Sequence, residues 1–114
     1  MITFEDFQKI DLRVGEITAV EKVDGSGKLL KFSVDLGDPS AGSGQGLGQR
    51  QLVAGIGRFY QPEELVGKQI IVLVNLEPKI IKGLESQGMI LAADDGKPAL
   101  LTPDKPMANG AKIR

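Results

Sequence analysis

The chain contains no histidine, no cysteine and no tryptophan, and its aromatic side chains are one tyrosine and four phenylalanines. Without His or Cys it has no Ser-His-Asp or Cys-His nucleophile, no zinc site of the usual nitrogen and sulfur ligands, no redox thiol and no imidazole switch. It also lacks surplus charge: 14 Lys+Arg stand against 15 Asp+Glu, a formal net charge of -1. A generic nucleic-acid coat would be strongly basic, so a polyanion partner has to meet a local patch. Long apolar runs are missing as well. No run exceeds the five residues of Ile70 to Val74, far short of the ~20 residues of a membrane span. The first residues, Met1 to Asp6, are acidic and unlike a signal peptide. These absences point to a soluble, cytoplasmic protein with no membrane partner, no metal and no cofactor.

What is present is one domain of 114 residues, 41% hydrophobic, long enough to form a core without disulfide or metal staples. Thr3 and Asp6 have capping-box spacing, and Phe4, Phe7 and Ile10 follow at helical period, which predicts a short amphipathic N-terminal helix. Two turns are unstable alone, so Phe4 and Phe7 must be covered by this domain or by a second copy. From Asp11 the period becomes two. Leu12 and Val14 share one face, and a phase slip at Gly15 turns Ile17 and Ala19 inward, which predicts a bulged, bent strand. Lys28 to Leu36 alternates as a second strand, with Leu30, Phe32, Val34 and Leu36 inward and Leu29, Lys31, Ser33 and Asp35 outward. Gly37 to Gln49 is rich in glycine but lacks the GxGxxG or GK[ST] spacing of a phosphate cradle, and reads as an extended hairpin loop.

Gln51 to Ile56 is a third strand. Pro62 to Gly67 spells a brief helix with Pro first, acids in its first turn and Gly at its end. Lys68 to Leu76 is a strand covered on both faces, Ser86 to Ala93 another, and Asp94 to Lys97 a hairpin turn before Ala99 to Leu101. A tail after Pro103 forms one more short strand at most. This order predicts an all-β, five-stranded OB-fold barrel with a short helix between strands 3 and 4, a short N-terminal helix and a C-terminal extension.

Catalysis would have to run on Asp, Glu, Lys, Ser and Tyr. The acidic pairs Glu63/Glu64 and Asp94/Asp95 fall in a helix start and a turn, where acids are favoured for conformational reasons. No catalytic residue is assigned. Asn75 to Met89 is more informative, because it sets Asn75, Lys79, Lys82, Ser86 and Met89 between two apolar strands. Lys neutralises phosphate, Asn and Ser bond base or sugar edges, and Met offers a polarisable platform to a base. The same segment also reads as a solvated loop with a turn Asn and a core Met. Lys28, Lys31, Arg50, Arg58 and Lys68 extend a basic face if the fold gathers them, and Tyr60 is the one ring expected to be exposed.

Several blocks together resemble a known family: Asp11 to Ile17 (DLRVGEI), Gly27 to Leu30, Leu52 to Ile56, Tyr60-x-Pro62-Glu63-Glu64-Leu65-x-Gly67-Lys68, Asn75-Leu76-x-Pro78, and Gly83-x-x-Ser86-x-Gly88-Met89 through Ala93. They are similar to the tRNA-binding domain found at the C-terminus of methionyl-tRNA synthetases, in free-standing structure-specific tRNA-binding proteins and in a cytokine precursor. The resemblance implies an OB fold that recognises tRNA by shape, as a homodimer, attached to a synthetase catalytic domain or subunit or acting alone. It implies tRNA contacts at Lys28, Arg50, Asn75, Ser86 and Met89, to which the reading of the loop itself adds Lys79 and Lys82, and a dimer interface at Phe4, Phe7, Met107 and Ile113. Two departures stand out. Ile80 occupies a place where the family usually has a basic residue, and Glu77 another where one is common. They favour the competing expectation, a protein-interaction or secretion-chaperone module on the same barrel.

Overall fold

A computed structural model describes residues 1–40 and 46–114. The chain runs α1 (Phe4–Gln8), β1 (Leu12–Lys22), β2 (Leu30–Asp35), β3 (Gln49–Ala54), α2 (Pro62–Leu65), β4 (Gln69–Leu73), β5 (Lys79–Ile81), β6 (Leu84–Ser86), β7 (Met89–Ile90), β8 (Ala92–Asp94) and β9 (Pro98–Leu100). β3, β2, β1, β4 and β7 form one antiparallel sheet in that order, and α2 falls between its third and fourth strands as the sequence predicts. Curvature comes from β1, whose first half pairs with β4 (Leu12↔Leu73 to Glu16↔Gln69) and whose second half pairs with β2 (Glu16↔Asp35 to Lys22↔Leu30). One long strand shared between two neighbours bends the sheet into a nearly closed barrel of the OB type.

The bulge in β1 lies at Thr18, between Ile17 and Ala19, and not at Gly15. Ile17 is buried as expected, but the extra residue leaves Ala19 exposed and turns Val20 toward the core. Gly15 serves close packing instead: a Cβ there would lie 2.6 Å from Val34 Cγ1 and 2.8 Å from Leu36 Cδ2. The core comprises Ile17, Leu30, Phe32, Val34, Leu36, Leu52, Ile56, Leu65, Ile70, Val72 and Val74, each worth roughly 1.5–3 kcal/mol on burial. Leu29, expected on the wet side of β2, precedes the strand and is buried. β4 is covered on both faces at Ile70 to Val72, as its unbroken apolar run predicts. Ile71 faces Val14 across the ladder, and both are buried outside the main cluster. Beside them runs the C-terminal tail: Gly110 N–H bonds to Val14 O (2.7 Å), Val14 N–H to Ala111 O (2.9 Å) and Ile113 N–H to Leu12 O (2.9 Å). The tail thereby pairs with the end of β1 that β2 leaves open.

α1 carries the expected capping box, with Asp6 N–H on Thr3 Oγ1 (3.1 Å) and Thr3 N–H on Asp6 Oδ2 (3.2 Å). α2 has Pro62 in its first turn and closes at Gly67, where φ is +92. The hairpin turn at Asp94 to Lys97 joins β8 and β9. Residues 41–45 of the loop expected over 37–49 lie outside the described residues, but its flanks form a hairpin neck through Leu47 N–H to Leu36 O (3.1 Å) and Gly48 N–H to Gly37 O (2.7 Å).

Candidate nucleic-acid interface

The strand expected over residues 86–93 is broken into three pieces, and the break builds the candidate site. Gly88 adopts φ +144, and a Cβ there would lie 2.8 Å from Leu73 O, so the chain can cross β4 at this point only as glycine. On one side of the crossing, β7 pairs with β4 through Met89↔Leu73 and Ile90↔Val72. On the other, Gln87 turns back to β3 and closes the barrel: Gln87 N–H bonds to Gln51 O (2.9 Å) and Gln51 N–H to Gln87 Oε1 (3.0 Å). Ser86 completes the seam. It is 5% exposed, its Oγ accepts from Val53 N–H (3.0 Å) and its hydroxyl donates to Gly88 O (3.0 Å). Side chains thus supply bonds that a ladder would provide in a fully closed sheet.

Ahead of this seam stands a hairpin that periodicity alone does not reveal, β5 against β6 in the register Lys79↔Ser86, Ile80↔Glu85 and Ile81↔Leu84. Its two-residue turn is Lys82-Gly83, with φ +52 and +77, the left-handed pair that a tight hairpin turn requires. Asn or Gly usually fills the first of these positions; a lysine there costs of order 1–2 kcal/mol. The tip faces the β1–β2 end of the barrel across a groove of about 300 Å³ lined by Glu21, Lys22, Asp24, Lys31 and Lys82 among others. Lys31 is ion-paired with Glu21. A second groove of about 350 Å³ shares Glu21 and Lys31 and runs past Ser33 to Gln51. The two lie over β1, β2 and β3, with Lys22, Lys31 and Lys82 beside Glu21 and Asp24 at one end.

The residues expected at the site fall into three groups. Lys79 and Lys82 are exposed at the base and the tip of the hairpin, and Met89 is 45% exposed beside the seam. Lys28 is exposed in the β1–β2 connection, where its carbonyl accepts Gly57 N–H (2.7 Å) and Arg58 lies close to the neighbouring Gly27. Asn75 and Ser86 have their polar atoms engaged inside the molecule, and Arg50 has one guanidinium nitrogen engaged there. Arg50 Nη1 donates to Val74 O (2.6 Å) and Gln87 O (3.3 Å). Asn75 accepts from Asp11 N–H (2.9 Å) and donates to Lys9 O (2.7 Å). Tyr60 is not the exposed ring. It packs half-buried on the core, its hydroxyl accepts Leu100 N–H (3.2 Å), and Lys68 Nζ sits 5.7 Å from its centroid; the exposed rings are its neighbour Phe59 and Phe4. Gln51 and Gln87, central to the seam, carry no sequence signal that separates them from surface glutamines.

Phe4, Phe7, Ile10 and Ile113, with others, line a separate groove of about 210 Å³ between α1 and the tail. Phe4 is 73% exposed and α1 buries no residue within the single chain. Met107 lies apart from these three interface candidates, in a different groove beside Gln69, whose side chain bonds to its backbone at both N–H and C=O.

Residues 12–112 match the family model described as "Putative tRNA binding domain". A methionine--tRNA ligase of Caldanaerobacter subterraneus subsp. tengcongensis is 51% identical over 113 residues, covering 98% of this chain and 16% of the ligase. That of Methanosarcina mazei is 50% identical over 116 residues, covering 100% of this chain and 15% of the ligase. The chain therefore spans only a small part of the length of these relatives. Among solved structures, a CsaA chaperone protein from Picrophilus torridus superposes with a TM-score of 0.86 at 37% identity, each chain covered completely. A MetRS related protein from Pyrococcus horikoshii gives 0.83 at 34% identity, covering 100% of this chain and 98% of the other.

Proposed function

The chain belongs to the putative tRNA binding domain family, and from that premise we propose that it is a non-catalytic, cytoplasmic module of one domain that binds tRNA as a homodimer, free-standing or joined to a methionyl-tRNA synthetase. The observation that carries the reading is Lys82. A lysine retained at φ +52, where Asn or Gly would relieve the strain, at the tip of a hairpin over a groove with Lys22 and Lys31, is what phosphate recognition would keep there. Lys28, Lys79, Lys82 and Met89 meet the RNA in this reading. Ser86, whose hydroxyl is engaged internally, and Arg50, tied to the seam through Nη1, set the shape of the surface that meets it. Dimerisation through α1 and the tail, with Phe4, Phe7, Ile113 and Met107 at or near the interface, covers the exposed apolar groove. It also doubles the cationic contacts offered to one RNA, which offsets the lack of net positive charge.

A second reading, a peptide-binding module, is favoured by the exposed Leu76, Ile80 and Met89 around the same loop and by the superposition on a CsaA chaperone protein. Replacing Lys79 and Lys82 with Glu separates the two. Filter binding should show tRNA retention collapsing in the double variant while binding of an unfolded, apolar peptide is unchanged; intact tRNA binding in the variant contradicts the main reading.

A further inference from the structure

Asn75 is exposed at the entrance to the loop that carries Lys79 and Lys82, where an amide reads naturally as a base-contacting group. Both of its polar atoms are engaged elsewhere. Oδ1 accepts from Asp11 N–H at 2.9 Å and Nδ2 donates to Lys9 O at 2.7 Å, joining segments more than 60 residues apart in sequence. Val74 N–H adds a bond to Asp11 O (2.9 Å). Lys9 is the C-terminal cap of α1, and α1 buries no side chain in the single chain. A helix of one turn has little stability of its own, so its attachment to the barrel runs through these bonds and the groove beside the tail. From the same crossing the contacts continue toward the site: Val74 O accepts Arg50 Nη1, which also reaches Gln87 O in the seam. Pro78 and Lys79 follow Asn75 by three and four residues. The amide thus stands between the apolar α1 groove and the root of the cationic hairpin.

We propose that Asn75 is a positioning residue that holds the α1–β1 junction and the root of the β5–β6 hairpin in one arrangement, so that the pose of Lys79 and Lys82 toward RNA depends on α1 being docked. The inference rests on the RNA-binding reading and deepens it. It takes Asn75 out of the contact set and makes α1 a control element of the same surface. Coupling of this kind is reciprocal: RNA that fixes the hairpin also favours docked α1. An amide suits the task because one oxygen must accept and one nitrogen must donate. An aspartate keeps the acceptor for Asp11 N–H but sets a second acceptor against the Lys9 carbonyl.

The test measures tRNA affinity as a function of salt for the wild type, Asn75→Ala, Lys79→Ala/Lys82→Ala and the triple variant, together with amide exchange in the free proteins. Asn75→Ala should weaken binding about tenfold and flatten the salt dependence, although it removes no charge, because misplaced lysines release fewer counterions. In the Lys79→Ala/Lys82→Ala background the same change should cost less than about twofold, since coupled residues are non-additive. In the free protein, the Lys9, Ile10 and Asp11 amides should exchange faster in Asn75→Ala. In Asn75→Asp the Lys9 and Ile10 amides should do so while Asp11 stays protected. Protected Phe32 and Val34 amides in every variant show that the barrel is folded. Equal losses in both backgrounds with an unchanged salt slope, or unaltered exchange across residues 9–11, overturn the inference while leaving tRNA binding standing. Absence of tRNA binding by the wild type overturns the functional reading and this inference with it.

Discussion

Lys82 sits where the backbone asks for Asn or Gly and where the proposed function asks for a cation. Lys82→Asn should therefore raise stability, by up to about 1 kcal/mol in urea unfolding, and lower tRNA affinity, with the log–log salt slope shallower by about 0.7–0.9. A variant that gains stability and keeps its affinity would remove Lys82 from the contact set. Ser86 presents the opposite case, a buried hydroxyl with two internal partners. Ser86→Ala leaves Val53 N–H without its partner and should cost about 1–3 kcal/mol, read as a lower urea midpoint with an unchanged m-value. At this scale sequence reading finds residue types but not their commitments. Ser86, Asn75 and Arg50 carry groups that suit RNA, and neighbours mostly 24 to 66 positions away reveal that these groups are engaged within the molecule. Tyr60 was mistaken for the same reason, since its partner Leu100 is 40 positions distant.

Among the elements, α1 is the most local in origin and the most sensitive to conditions. Hydrogen bonds from the Thr3 backbone N–H, then Lys9, then the Thr3 hydroxyl hold the Asp6 carboxyl below its ordinary 3.8. A depressed carboxylate pKa contributes stability that is present above the ordinary value and lost as pH falls through the lowered one. The amide resonances of Thr3 to Lys9 should shift to frayed positions on acidification below about pH 4, while those of β2 hold; in Asp6→Asn that transition should vanish. The capping box, the Pro-led α2 and the alternating β2 could be read from the sequence because their signals lie within a few residues. The bulge at Thr18 and the β5–β6 hairpin were less accessible. Gly15 draws the phase slip toward itself but is demanded by packing against Val34 and Leu36, and Lys82 hides a turn that Asn would have announced. The run over 86–93 looks continuous because Gly88 is its one mark of the crossing to β4.

For the molecule as a whole, a net charge of -1 and an uncovered apolar groove point to the same solution. In the proposed dimer, pairing two copies would bury Phe4 and Phe7 and bring two cationic hairpins to one RNA. Light scattering should give the mass of two 12.2 kDa chains, and Phe4→Glu should yield a folded monomer with weaker tRNA binding; a wild-type monomer that binds tRNA at full strength contradicts the dimer. The five-strand order could be inferred from where the α2 signal falls, whereas closure through Gln51 and Gln87 could not, since no periodicity encodes it. Recognition of folded RNA by a local patch is tested most directly by competition binding of tRNA against duplex DNA of equal length across a salt series. tRNA should be preferred throughout, with affinity falling steeply as salt rises. Equal affinity for the duplex, or no tRNA binding at low salt, would contradict it.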